Sequence, residues 1–462
     1  MKTFLLTLLF ATTGFISSAQ TIQTLYSFQN TNGADAENPL TLGDDGNFYG
    51  MTLQGGNTNL YFGGYGTVFK ITTNGALTTL ASFDGNSGMS PYAGLIQGLD
   101  GSFYGTTSHA GNGGIGNVFK VTTNGVLTTL VLFNLTNGYG PSASLTLGKD
   151  GNFYGTTSGG GITNSTYPFG YGTVFKVTAS GTLTPLVFFN GTNGQQPDTA
   201  LTLGTDGNFY GTTTRGGSSG AGTVFKMTTN GVLTTLASFN ITNGQSPNTL
   251  TLGNDGNFYG TTKLGGITNL TPYGFGSIFK ITTNGTLTTL FNFNDITNGR
   301  DPYAGLTQGQ DGNFYGATAS GGITNSTYPF GCGTLFKVTP NGALTTLASF
   351  NGTNGMAPSA TLTLGTDGNF YGTTAAGGSG DYGTVFRLLL PPLSSSPLSL
   401  TIAAAGNESV LFWPASLGTN FILQSTTNLI SPNWVTASDA VPVISFIVTN
   451  TSPTRFFRLQ SQ

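Results

Sequence analysis

One phrase of roughly fifty residues recurs seven times, a full copy reads as four short strands, and the fragments at the two ends of the array add up to one of the seven units. These observations predict an all-β fold: a seven-bladed β-propeller closed by an N-terminal strand, followed by a small C-terminal β-sandwich-like domain. An Asp-Gly pair recurs at Asp45, Asp100, Asp150, Asp206, Asp255, Asp311 and Asp367, at intervals of 55, 50, 56, 49, 56 and 56 residues. A Phe-Tyr-Gly follows each pair, from Phe48 to Phe370. A Gly-x-(Val/Ile/Leu)-Phe-(Lys/Arg) phrase runs from Gly66 to Gly383, and a phrase like Leu77-Thr-Thr-Leu-Ala-Ser-Phe83 closes each copy.

In the second copy, strand A is expected near 93–98, B at 102–107, C at 117–122 and D at 127–133. All are rich in Thr, Val, Phe, Tyr and Leu, which suit a pleated surface. Asp100-Gly101 and Asn124-Gly125 suit two-residue hairpins, because these residues tolerate positive φ. No segment carries a convincing 3.6-residue period, so almost no helix is expected. The array opens on a lone D strand, 22–28, and ends on A, B and C alone, 360–388. Pairing these pieces closes a ring and removes the exposed sheet edges. An open solenoid would need polar caps at its ends instead.

The phrase Leu-Gly-x-Asp-Gly-Asn-Phe-Tyr-Gly-Thr-Thr, then Gly-Gly, then Gly-Thr-Val-Phe-Lys, resembles the GloVer tandem-repeat family of exported bacterial proteins over about residues 21–390. The resemblance implies export and repeat architecture; it assigns no activity.

Before the array, Lys2, the apolar run 4–10 and Ser17-Ser18-Ala19 read as a secretory leader cleaved before Gln20. The apolar run is too short to span a bilayer, no later stretch is long enough, and no cysteine follows the leader as a lipid anchor requires. The expected domains are a signal peptide at 1–19, the propeller at 20–390, a Pro/Ser-rich linker at 391–397 and a β-domain at 398–462. That last part holds both tryptophans, Trp413 and Trp434, and six candidate strands near 398–403, 409–413, 421–425, 434–437, 444–448 and 455–459. It looks like a module appended to other exported bacterial proteins, which implies sorting or surface attachment; as a bare spacer it would only stabilise.

Charged residues make up 7% of the chain, yet 35 Phe and 18 Tyr are enough for a large core. The net charge is −3 and there is no run of Lys or Arg, so nucleic acid is not an expected partner. The chain is read as a monomer. The lone Cys332 excludes an internal disulfide.

Few residues offer chemistry. His109 is the only histidine and stands where other copies have small or polar residues, so a surface role is expected over a triad or a metal site. Cys332 replaces Tyr171 of a near-identical loop and has no base beside it. Only Glu37 and Glu408 are glutamates. The Asp-Gly aspartates read as turn residues; Ca²⁺ is the one ion such oxygens could invite, but each turn repeats a single carboxylate, and no cofactor is otherwise implied. The non-repeat acids Asp35, Asp84, Asp198, Asp295, Asp301 and Asp381 lie near D–A or B–C loops, where a pair could converge across the ring. Lys70, Lys120, Lys176, Lys226, Lys280, Lys337 and Arg387, one per copy, are expected to cover apolar surface with their stems.

The B–C loops vary most. Copies one, three, five and six carry long versions, 55–66, 159–172, 265–276 and 321–333. B–C and D–A loops share a face in an up-and-down blade. That face is expected to display Tyr61, Phe62, Tyr65, Tyr167, Phe169, Tyr171, Tyr273, Phe275, Tyr328 and Phe330 among Asn and Thr. Flat aromatics beside amides and hydroxyls suit glycan or peptide binding; the same rings could instead pack on one another and cover the ring. The leading expectation is an extracellular binding propeller whose partner is a polysaccharide or a protein at the cell surface. The alternatives are a polysaccharide-acting enzyme using loop aspartates, and a structural surface component without a discrete ligand.

Overall fold

A computed structural model describes residues 20–57, 63–110, 114–267, 273–294 and 297–390, with the backbone of six strands beyond residue 400. The expected leader and linker lie outside the described residues. Seven antiparallel units, six of four strands and one of five, form a seven-bladed β-propeller, and no helix occurs among the described residues. In blade 2 the strands are A, Ile96–Gln97; B, Phe103–Thr107; C, Asn117–Val121; and D, Leu127–Leu132. The A strands are two residues long rather than six, because a left-handed residue and, in most blades, a proline precede them.

The hairpins differ from expectation by one residue. Gly101 N donates to Gly98 O and Gly98 N to Ser102 O, so three residues, not two, form the A–B loop. Gly101, at φ 75°, takes the left-handed third position that such a loop requires. The C–D turn repeats this arrangement at Gly125.

Blade 7 is completed by the start of the described chain. Thr21–Ser27 pairs antiparallel with Thr384–Leu389, Thr21 opposite Leu389 and Ser27 opposite Thr384. Two aromatic contacts recur at every seam between blades. The tyrosine of each Phe-Tyr-Gly lies against the phenylalanine of the next blade's, from Tyr49–Phe103 round to Tyr371–Phe48, with ring centroids 3.9–4.2 Å apart in all seven pairs. Further out, the phenylalanine after each D strand meets the next blade's C-strand phenylalanine edge to face, from Phe28–Phe69 to Phe350–Phe386, at 5.0–5.5 Å. Near the axis, Thr41 Oγ1 donates to Leu95 O at 2.5 Å and Thr363 Oγ1 to Leu40 O at 2.6 Å, so the last blade bonds to the first. The glycine of Phe-Tyr-Gly serves this packing: a Cβ on Gly50 would stand 2.5 Å from Cζ of Phe69, its cross-strand partner.

The Asp-Gly aspartates cap their own turns. Asp45 Oδ1 accepts from Asn47 N, while Oδ2 accepts from Asn47, Tyr49 and Lys70. Partial burial pushes the Asp45 carboxyl up, but those bonds hold it well below the usual range. The tyrosine-to-aspartate bond recurs in all seven blades at 2.8–3.0 Å. Each repeated carboxylate is thus held by its own blade's donors. Lys70, Lys120, Lys226 and Lys280 pair with these aspartates at 2.7–2.8 Å and lie over the adjoining tyrosine rings.

Pro391–Gln462 forms a separate compact unit. Its strands Thr401–Ala405, Glu408–Phe412 and Ser445–Thr449 make one antiparallel sheet, and Val435–Thr436, Phe421–Thr426 and Phe456–Ser461 a second.

Phe48 is fully buried on the seam that joins last blade to first. Phe48→Ala is expected to cost about 3–5 kcal/mol in urea unfolding. Phe330→Ala, on a ring 60% exposed, should change stability by about 0.5 kcal/mol or less. Equal costs would contradict the belt's role.

Candidate functional site

The D–A and B–C loops meet on one face. Met89 bridges His109 in blade 2, Tyr139 bridges Gly159 in blade 3, and Gln195 bridges Arg215 in blade 4. In every blade the D–A crossing pivots on one residue with positive φ. These are Asp35, Ser90, Gln196, Ser246, Asp301 and Ala357 at 54–60°, and Gly140 at 60°. Non-glycine residues rarely adopt this conformation without support. The support spans two blades: Asp35 N donates to Tyr382 O of blade 7, and Asp35 O accepts from Leu53 N of blade 1. Gln196 is held likewise between Tyr171 O and Thr214 N.

Two positions beyond the pivot, the chain reaches the central axis. The residues there are Glu37, Tyr92, Ser142, Asp198, Asn248, Tyr303 and Ser359, one from each blade. All seven line a cavity of about 520 Å³, open mouth included. Around it the repeat is nearly monotonous, yet this ring holds two acids, two tyrosines, an amide and two hydroxyls. The tyrosines are 47% and 43% exposed. Lys263 places its ammonium 4.0 Å from the Tyr303 ring centroid. In both tyrosine blades the sequence reads Pro-Tyr-Ala-Gly-Leu; a Cβ on Gly94 would stand 2.7 Å from Pro39 and one on Gly305 2.9 Å from Thr249 O. The glycines let these segments sit close against their neighbours.

The mouth gathers acids scattered along the sequence. Burial, helped by nearby Asp35 and opposed by Lys263, pushes the Glu37 carboxyl up to about 7. Burial likewise lifts Asp198 to about 6, against a hydrogen bond from Thr214 and the charge of Arg215. Asp35 and Asp301 are raised by burial too, Asp301 against Arg300 and Lys263. Asp198 Oδ2 accepts from Thr214 Oγ1 at 3.4 Å, while its Oδ1 is buried and accepts no hydrogen bond.

The aromatic loop residues divide into supporting and displayed rings. Tyr61 and Phe62 lie outside the described residues. Tyr65, Tyr167, Phe275 and Tyr328 are half-buried against the blade cores. Tyr171 is buried, stacks with Tyr167 at 4.5 Å and accepts a hydrogen bond from Asn164. Phe169, Tyr273 and Phe330 are 60–65% exposed. Tyr139 stacks on Phe169, and the Arg300 guanidinium lies 4.7 Å from the centre of Phe330.

Other expected residues stay local. Asp84 accepts from Ser87 in its own turn and Asp381 from Gly377 N; Asp295 lies outside the described residues. His109 Nδ1 is 3.0 Å from Ser108 Oγ. Cys332 is fully buried, and that burial pushes its thiol up, opposite to what a nucleophile needs. Among the described residues no group of three His, Cys, Asp or Glu could hold a metal ion. Sequence reasoning did not single out Tyr92, Tyr303 and Lys263, and placed Glu37 nowhere. The signal was available: the residue after the loop proline (after Ala36 in blade 1) differs where its surroundings repeat.

Fold and mouth together define a closed β-propeller with an asymmetric axial cavity. The chain belongs to the Gloeobacter/Verrucomicrobia repeat family, whose pattern matches residues 11–167 and 161–386. Among solved structures, the extracellular domain assigned to a hybrid two-component system of B. thetaiotaomicron is similar in fold, with a TM-score of 0.50 at 12% identity. The match covers 96% of this chain and 55% of that one, so the chain spans about half its length. The periplasmic gluconolactonase of Pseudomonas aeruginosa matches with a TM-score of 0.47 at 16% identity, over 70% of this chain and 87% of that one. No curated protein matches the sequence.

Glu37 offers a direct check. Its folded value lies above the ordinary 4.5, so the native state keeps a proton that the unfolded state loses between about pH 4.5 and 7. Stability contributed by this group therefore falls as pH rises through that window. Carbon-13 carboxyl labelling of glutamate should give two signals, from Glu37 and Glu408, one with a midpoint near 7. Glu37→Gln should raise Tm at pH 8 and lose that advantage at pH 4. A Glu37 midpoint near 4.5 would refute the assignment.

Proposed function

We propose that the chain is an exported, non-enzymatic binding propeller that presents its D–A/B–C loop face to a glycan or peptide at the cell surface. The observation that carries this reading is the exposure of Phe169, Tyr273 and Phe330 at 60–65% on that face, in a chain that buries most of its phenylalanines. Exposed rings in a polar rim mark contact surfaces, since water gains nothing from them. The leader-like N-terminus supports export, and the C-terminal unit would serve sorting or attachment. Purified protein should be retained on a glycan or peptide array. The pair Phe169→Ala and Phe330→Ala should weaken retention about tenfold or more, at ~1–2 kcal/mol per ring, with Tm unchanged. Undiminished retention would remove the basis of the reading. Deleting 391–462 should leave export intact and release the protein from the cell; an equally cell-associated truncation would end the attachment role.

A second reading has one observation in its favour. Glu37 near 7 is poised as a general acid, with Asp35 and Asp198 as candidate partner carboxylates. Reducing-end release from a polysaccharide panel, abolished by Glu37→Gln, would establish that reading over simple binding.

A further inference from the structure

We propose that the axial cavity is a pocket for the terminal sugar unit of a glycan, so that the protein reads chain ends rather than chain interiors. This rests on the glycan form of the reading above and moves its specificity from the outer loops to the channel mouth.

The chemistry of the lining points to a polyhydroxylated ring. A sugar needs flat apolar surface for its C–H faces, acceptors for its hydroxyl hydrogens and donors for its oxygens. Tyr92 and Tyr303 supply exposed ring surface from blades 2 and 6. Glu37 and Asp198 supply acceptors from blades 1 and 4. Asp198 Oδ1 is the telling atom: on a residue that lines the cavity, it is buried and receives no hydrogen bond. A buried acceptor left without a donor is costly, and a ligand hydroxyl would supply the missing hydrogen bond. Lys263, whose ammonium rests on the Tyr303 ring and feels the charge of Glu37, supplies a donor at the same mouth.

Charge argues against a simple cation. The carboxylates Asp35, Glu37, Asp198 and Asp301 are opposed by Lys263, Arg215 and Arg300, each of which acts electrostatically on one or more of them. A mouth that balances both signs offers little net field to an amine or metal ion, yet it offers both donors and acceptors to a neutral ligand.

Shape selects the chain end. All seven blades contribute to the wall, and ring closure leaves no gap between the first and last blades through which a polymer could run sideways. A terminal unit that enters end-on reaches all seven lining residues at once, while the exposed rings of the outer loops remain free to contact units further along.

The test is calorimetry of the full chain with a mono- and disaccharide panel, alongside array binding of the corresponding polysaccharides. A free mono- or disaccharide should bind and should compete with the polysaccharide. Tyr92→Ala and Tyr303→Ala should each weaken binding of the small sugar tenfold or more, with Tm unchanged. Asp198→Asn should weaken it as well, whereas Phe169→Ala with Phe330→Ala should leave small-sugar binding intact. Polysaccharide retention that is insensitive to small sugars and to both tyrosine variants, but lost in the Phe169/Phe330 variant, would overturn the pocket and spare the binding face. Retention of peptides alone would do the same. Binding of spermidine in place of any sugar would also overturn it. No retention of any glycan or peptide would remove both.

Discussion

A blade of this protein cannot bury its own inner face: its Phe-Tyr pair points two large rings into the two neighbouring seams, and only a neighbour on each side covers them. The seven tyrosine–phenylalanine contacts form a belt with no end, since Tyr371 meets Phe48 as closely as Tyr154 meets Phe209. Aromatic contacts of this kind contribute about 0.5–1.5 kcal/mol each beyond the area they bury. Their larger effect is geometric. A stack, an edge-to-face phenylalanine pair and axial threonine bonds recur at successive seams, which sets the blade-to-blade angle. Seven such angles bring Thr21–Ser27 beside Thr384–Leu389.

This geometry also accounts for the sparse charge. The recurring Tyr and Asp of each blade bond to each other at the A–B turns, joined by Asn in six blades and Lys in four, on the end away from the D–A loops. With those groups occupied, several of the remaining charged residues, Asp35, Glu37, Asp198, Arg215, Lys263, Arg300 and Asp301, fall at one mouth of the channel. Their burial there lifts the carboxyls, whereas turn aspartates such as Asp45 and Asp206 are held low. One repeat thus places two opposite electrostatic environments at its two ends.

Symmetry of the scaffold and asymmetry of the mouth follow from different constraints. Phe48 or Gly50 cannot vary without disturbing a seam. The residue two places after the left-handed pivot lines the axial cavity and takes no part in the aromatic seams. Glu37, Tyr92, Asp198 and Tyr303 occupy that position, so they differ from blade to blade without disturbing the seams.

The sequence by itself determined the number of blades, the strand order and the closure, because all three follow from counting a phrase whose every element has a local cause. Only the tertiary structure decided which aromatics face water. Phe169 and Tyr171 are two residues apart in one loop, yet Gly170 bridges back to Gly160 and turns one ring out and the other in. The variable position of each repeat is visible in the sequence, but Glu37, Asp198 and Tyr303 are far apart along the chain. They line one cavity because the ring's curvature, fixed by its seams, carries the same position of every blade to the same axis.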